Sequence, residues 1–282
     1  FNYYGSPKAT KIIIAMGSVC ETIKETVDYL TKKGEAVGLL EVHLYRPFSS
    51  KYFLQALPKT VKKIAVLDRT KEAGSIGEPL FLDVCKVVKE VSEKIKIYGG
   101  RYGLSGRNTT PAMIKGLFDF LDSKDCHTNF TLGIDDDITN LSVMYDKKFL
   151  LPTTNTSFLV YGYGSDGMVS ASKDLMKITG TYSKAFVQGY FQYDSKKSGG
   201  VTISHLRFGT APIKSTYYVE KASLIVCTKD SYLKQMHILD KINNNGIFLL
   251  NTSKDKDDVL KYMSKYDKKI LKNRNIKFYI ID

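Results

Sequence analysis

The chain has no tryptophan, and only four cysteines and four histidines among its 282 residues. The absence of tryptophan reads as compositional bias of the source genome, whereas the few cysteines and histidines argue against classes of function. Cys20, Cys85, Cys126 and Cys227 lie far apart and form no Cys-x-x-Cys pair. That spacing supports neither a disulfide framework nor a zinc or iron–sulfur site. Cys20, Cys85 and Cys227 sit in apolar contexts and read as packed thiols in a reducing compartment. No Gly-x-Ser-x-Gly elbow occurs, so His205, near Ser204 and Arg207, reads as a hydrogen-bonded strand residue rather than a triad member. No run approaches the roughly 18–20 apolar residues of a membrane span. No signal or transit peptide is visible, and the chain starts at Phe1, so it reads as a piece of a longer polypeptide.

What is present begins with lysine. The formal net charge is +13, from 42 Lys/Arg against 29 Asp/Glu. Residues 1–125 contribute 20 against 14 and residues 126–282 contribute 22 against 15, so the excess is spread as +6 and +7. Nucleic-acid binding relies on clustered basic residues, and the sequence shows no basic arm or lysine-rich helix face. A diffuse positive field instead favours polyanionic small molecules or an acidic partner domain.

The length suits two domains, read as 1–125 and 126–282, with a polar boundary at Ser123 to Asn129. Both read as α/β. In the first, Lys11 to Met16, Ala36 to Leu44, Lys63 to Leu67 and Ile95 to Tyr98 are buried strands. Helices are expected after Ser18-Val-Cys-Glu21, which has capping-box spacing, after Pro79 and from Pro111. Strands alternating with helices indicate a sheet covered on both faces. Arg46, Asp68-Arg69 and Arg101 fall at the carboxyl ends of strands, where open α/β sheets bind ligands. No catalytic spacing accompanies them, and mutual pairing in charged loops is the favoured reading. In the second half, strands are expected at Ser157 to Tyr161, Ala185 to Phe191, Val201 to Phe208, Ser223 to Cys227, Ile247 to Leu250 and Lys277 to Ile281. Asp135-Asp136-Asp137 lacks the spacing of a calcium loop and reads as a solvated turn or a helix start. No metal site and no catalytic constellation is expected.

The strongest single feature follows the strand at Ser157. Gly162, Gly164 and Gly167 fit Gly-x-Gly-x-x-Gly between that strand and a helix, with Ser165 and Asp166 inside the loop. Backbone N–H groups and a helix N-terminus in this arrangement face an anionic ligand. A structural turn that binds nothing fits the spacing as well. Tyr193-Asp-Ser-Lys196-Lys197-Ser198-Gly-Gly200 follows the next strand and supplies two lysines suited to an additional phosphate. An autonomous NAD(P)-dependent dehydrogenase would use the same glycines, with Asp194 on the ribose. A ligand-free structural spacer is a further alternative.

Taken together, several stretches resemble the pyruvate:ferredoxin (or NADP+) oxidoreductase family. They are Ala15 to Thr26, Leu44-Tyr-Arg-Pro-Phe48, Lys63 to Glu72, Gly99-Gly-Arg-Tyr-Gly-Leu-Ser105, Tyr161-Gly-Tyr-Gly-Ser-Asp-Gly167, Gln188-Gly-Tyr-Phe191, Tyr193 to Thr202 and Ser204 to Gly209. The resemblance implies the middle of that enzyme. Residues 1–125 look like its second domain, a three-layer sandwich similar to the transketolase C-terminal domain. Residues 126–282 look like its third, gamma-type domain, an open mixed sheet. The family makes acetyl-CoA from pyruvate with thiamine diphosphate and [4Fe–4S] clusters, which other domains hold. This part is implied to bind coenzyme A through Gly162, Gly164, Ser165, Asp166, Gly167, Lys173, Lys196, Lys197 and Ser198. Asp166 is expected to bond loop amides or adenosine rather than phosphate. The family commonly continues Gly-Thr-Val-Gly-Ala-Asn-Lys-Asn, whereas this chain has Gly167-Met-Val-Ser-Ala-Ser-Lys173-Asp174. Implied partners are the other domains of the parent chain, a ferredoxin or fused flavin reductase, and a second copy in a homodimer. The implied location is the cytoplasm or an anaerobic organelle.

Overall fold

A computed structural model of the chain describes residues 1–136, 138–194 and 200–282. These form two compact units, each with its own six-stranded sheet. The first comprises Phe1–Pro152 together with Lys214–Tyr217, and the second comprises Thr153–Ile213 and Tyr218–Asp282.

The first unit runs β1 (Asn2–Gly5), β2 (Lys11–Met16), α1 (Val19–Lys32), β3 (Val37–Val42), α2 (Ser50–Ala56), β4 (Lys63–Asp68), α3 (Pro79–Val91), β5 (Lys96–Tyr102), α4 (Pro111–Asp122) and β6 (Phe130–Leu132). Its sheet order is β1-β3-β2-β4-β5-β6, with β1 antiparallel to β3 and every other pair parallel. β2 is apolar on both faces because both are covered. Ile12 and Ile14 join a core with α2 and α3, while Ile13 and Ala15 join a core with α1 and α4. A strand buried on two sides reads as a continuous apolar run rather than an alternation. The result is the three-layer α/β sandwich expected.

Several details depart from the sequence reading. Ser18 makes no side-chain cap on α1, and Glu21 pairs with Lys24 at 2.6 Å instead. β5 does not stop before its glycines but continues through Gly99 and Gly100 to Tyr102. The expected boundary after residue 125 falls inside the first unit, because β6 pairs with β5 at Gly100↔Phe130. The cause is a packing hole. A methyl group at Gly100 would stand 2.1 Å from the Phe130 ring, which is completely buried over it. Residues 214–217 also return to this unit, where the Ser215 and Tyr217 hydroxyls donate to the Glu25 carboxylate at 2.7 and 3.0 Å.

The second unit runs β7 (Thr156–Tyr163), α5 (Met168–Tyr182), β8 (Phe186–Tyr193), β9 (Val201–Gly209), β10 (Ala222–Cys227), α6 (Tyr232–Gln235), β11 (Ile242–Asn251), α7 (Lys256–Tyr262), α8 (Lys265–Asn273) and β12 (Lys277–Ile281). Its order is β12-β11-β10-β7-β9-β8. β12, β11, β10 and β7 are parallel neighbours, while β9 runs antiparallel to both β7 and β8. The mixed sheet is as expected. Leu159, Tyr161, Ile225, Phe248 and Phe278 share one core with residues of α6, α7 and α8. α5 packs on the other face and buries only Ser172. Gly189 lets it approach β8, since a methyl group there would meet Met176 at 2.4 Å. Among the described residues no helix is long and apolar enough to cross a membrane.

Replacing Gly100 with alanine forces the buried Phe130 ring to move, so Gly100→Ala is expected to destabilise the first unit by about 1–3 kcal/mol. A lowered urea midpoint checks this. An unchanged midpoint would mean that the ring relocates without cost.

Candidate functional site

The second sheet has a topological switch point between β7 and β10. From the carboxyl end of β7 the chain leaves through α5 towards β8 and β9, whereas from the adjacent parallel β10 it leaves through α6 towards β11. Neighbouring parallel strands whose connections depart in opposite directions mark the point where open α/β sheets receive ligands. The glycine loop and the segment Thr228 to Asp230 both lie at this edge.

The loop is organised by Asp166. Its carboxylate accepts from the Tyr163 and Met168 amides at 2.7 and 2.9 Å, and from the Thr228 hydroxyl at 2.7 Å. The Asp166 amide in turn donates to the Tyr163 carbonyl at 2.9 Å. An internal carboxylate thus engages two amides that flank the expected Gly164–Gly167 contacts, those of Tyr163 and Met168. Of the two contacts expected of Asp166, loop amides or adenosine, the amide bonds are present within the loop itself.

The remaining predicted residues are divided by the structure. Gly162 is inside β7, buried against β9, where a methyl group would meet the Thr202 hydroxyl oxygen at 2.7 Å. The Gly164 amide donates to the Gly200 carbonyl at 2.9 Å. Ser165 and Gly167 hold left-handed backbone, φ 75° and 84°, and Gly167 is the N-cap of α5. A side chain at Gly167 would be strained, which explains that glycine without a ligand. Lys173 is on the exposed side of α5 with its ammonium 5.3 Å from the Phe191 ring centre. Lys196, Lys197 and Ser198 lie outside the described residues. Their flanks are described: Asp194 donates its amide to the Val201 carbonyl at 3.1 Å, and Gly200 touches the glycine loop. The foot of the β8–β9 hairpin therefore meets the loop.

Sequence reasoning missed the opposite side of the switch point. Thr228 bonds Asp166, Lys229 places its ammonium 4.1 Å from the Tyr163 ring centre, and Asn251 donates to the Thr228 carbonyl at 3.2 Å. Lys254 forms an ion pair with Asp230, which also accepts from Thr252 and Tyr262 at 3.3 Å. The hydrogen bond from Lys254 is the main reason the Asp230 carboxyl titrates below its ordinary value. Thr228, Lys229 and Asp230 directly follow β10, and Asn251, Thr252 and Lys254 end or follow β11, so the carboxyl-edge rule was the signal available for these.

Other singled-out groups are tied up internally. Arg101 pairs with the buried Glu78, whose second oxygen accepts from the Glu72 amide at 2.7 Å. Asp68 accepts from the Leu80 and Phe81 amides at 3.0 and 3.1 Å, capping α3, and burial raises its pKa. Arg46 bonds Asp83 at 2.7 Å, and Arg69 donates to the Gly103 carbonyl at 3.0 Å. Asp136 accepts from the amides of Ile138, Thr139 and Leu141 and from the Thr139 hydroxyl. Those bonds, the hydroxyl's first, lower its pKa to about 2, so it closes a turn. Asp137 lies outside the described residues. Cys20 and Cys227 are buried thiols pushed up to about 12 by desolvation. His205 is buried, accepts from the Val219 amide at 3.1 Å and stacks on Tyr218 at 4.7 Å. Desolvation, reinforced by Lys241 and Arg207, holds its pKa down at about 3.

With the geometry in place, the relatives of the chain become informative. A family described as pyruvate ferredoxin/flavodoxin oxidoreductase matches residues 157–282, and one described as pyruvate:ferredoxin oxidoreductase core domain II matches residues 9–114. Over its full length the chain is 47% identical to the pyruvate:ferredoxin oxidoreductase of Moorella thermoacetica and 47% identical to the pyruvate-flavodoxin oxidoreductase of Enterobacter agglomerans. The chain thus carries both domain matches and resembles, along its whole length, part of the pyruvate:ferredoxin/flavodoxin oxidoreductases. It spans 24% of the length of each of those two enzymes. A crystal structure of a pyruvate oxidoreductase subunit from Thermotoga maritima is 23% identical, covering 39% of this chain and 56% of its own, with a TM-score of 0.33. The core domain II match lies within the first unit, and the oxidoreductase match begins in β7, which opens the second.

Asp166→Ala removes one acceptor from three donors and is expected to destabilise the second unit by about 1–2 kcal/mol, with faster amide exchange confined to 163–168. Unchanged exchange would mean the loop holds its shape without the carboxylate. His205 predicts a pH dependence. An unfolded histidine binds its proton near pH 6.5 and the folded one near 3, so the unfolded state holds more protons between them. Stability is therefore complete above about 6.5 and falls with acidification by up to about 1.4 kcal/mol per pH unit. His205→Gln should flatten that slope in a pH series of urea titrations.

Proposed function

We propose that this chain supplies part of the coenzyme A site and the interdomain scaffold of an enzyme that oxidatively decarboxylates pyruvate to acetyl-CoA. The observation carrying this reading is the Gly164–Gly200 hydrogen bond, which joins the switch-point loop to the foot of the hairpin whose sequence contains Lys196, Lys197 and Ser198. With Tyr163 and Met168 amides engaged by Asp166, phosphate contacts fall to the Ser165 and Gly167 amides and the first turn of α5. Lys173, Lys196 and Lys197 supply ammonium groups for charge-assisted bonds, one pair of them suited to the 3′-phosphate. Thiamine diphosphate and [4Fe–4S] clusters belong to other domains of the parent, which passes electrons to a ferredoxin or flavodoxin and works as a homodimer.

The scaffolding part rests on surface chemistry. Leu175, Ile178 and Tyr182 of α5 are exposed, as are Phe186, Tyr190 and Tyr193 of β8. β8 is an edge strand with no charge and no proline among its eight residues. Edge strands left to solvent ordinarily carry such blocks, so this face is assigned to packing against the rest of the parent chain.

Calorimetry on the full-length enzyme with CoA, dephospho-CoA and NADPH tests the site. Lys196→Ala with Lys197→Ala should weaken CoA by about tenfold and leave dephospho-CoA unchanged. Equal losses for both ligands would assign the lysines to folding. Tight NADPH binding without CoA heat would turn the reading to a dehydrogenase, and silence from every ligand to a spacer.

A further inference from the structure

The opposite edge of the first sheet carries a second, unassigned feature. A groove of about 980 Å³ opens at the amino ends of β2, β4 and β5, beside the C-termini of α2 and α3. Leu54, Leu57, Val61 and Ile95 form its apolar floor, and Val91, 58% exposed, stands in its wall. Around this floor stand Lys8, Lys59, Lys62, Lys94 and Lys96, all exposed. Among the described residues none of the five forms an ion pair, and no aspartate or glutamate lines the groove. Lys63 is different, because its ammonium is spent on the Leu121 carbonyl.

Lysines are favoured near helix C-termini, and two helices end here. That accounts for charge beside Leu57 and Ser92. It does not account for Lys8 and Lys96, which precede or open strands, or for the apolar floor between like charges. Five clustered ammonium groups without counter-charges repel one another and raise the local potential. An occupant that relieves this must carry several negative charges, and the apolar floor favours a peptide with carboxylates and apolar side chains interleaved.

We propose that this groove receives an acidic, amphipathic stretch of the same polypeptide lying outside residues 1–282. Charge complementarity sets its chemistry. Its source follows from length, since the chain spans 24% of its relatives and some three quarters of such a polypeptide lies beyond it. The docking is independent of coenzyme A, because it uses the first unit alone and the other edge of its sheet.

Zero-length carbodiimide coupling of the full-length protein, read by mass spectrometry, tests the proposal. Lys59, Lys62 or Lys94 should be found joined to aspartates or glutamates outside 1–282. The same lysines should be acetylated several-fold more slowly than the exposed Lys32 and Lys33, with that protection lost in about 1 M salt, where charges are screened beyond roughly 3 Å. Acetylation as fast as at Lys32 and Lys33 with no such coupling would overturn it. So would coupling found only to a second copy of residues 1–282, or only to a separate protein.

Discussion

In both units a carboxylate at or just past the end of a parallel strand satisfies backbone amides at or next to a helix start. Asp68 does so for α3 through Leu80 and Phe81, and Asp166 does so beside α5 through Tyr163 and Met168. Parallel sheets make this necessary. Each strand delivers its chain to the same edge, and each following helix presents amides there that have no partner within the helix. An anion is the natural partner, and this chain supplies one from its own sequence in each unit. The rest of the carboxyl edge is arranged around that choice, including Thr228 on Asp166 and Asn251 on Thr228.

The same solution limits what a ligand can do at the glycine loop. A phosphate entering near Asp166 meets a negative charge as well as amide donors. Coulomb repulsion at that distance is offset only by nearby cations. Among the described residues Lys229 bears on this, since its ammonium stands over the ring of Tyr163, which adjoins the loop. Lys173, by contrast, lies over the Phe191 ring of the edge strand β8.

Much of this was legible in the sequence, and the reasons are local. β2, β4, β7 and β10 declare themselves as apolar runs ended by glycine, aspartate or threonine, and α1 by Val19, Ile23, Val27 and Leu30 at helical spacing. The glycine loop was found because Gly164 and Gly167 sit between such a strand and a helix. β6 was not found, since Phe130-Thr-Leu132 is three residues long and makes sense only beside Gly100. α2 was missed because only Phe53 of its seven residues is buried. Asp166 shows the limit most clearly. Its type and position suggested an amide contact, but its hold on both Tyr163 and Met168, and the approach of Thr228 from 62 residues away, exist only once the sheet has assembled.

The return of residues 214–217 to the first unit has a practical meaning for anyone dividing this polypeptide. No single cut separates the two bodies whole. A piece ending near Pro152 keeps β6 over Gly100 but leaves the Glu25 carboxylate without the hydroxyls of Ser215 and Tyr217. A piece starting there carries those four residues away as an orphaned loop. Inheritance, recombination and cloning therefore handle the pair most safely as one cassette.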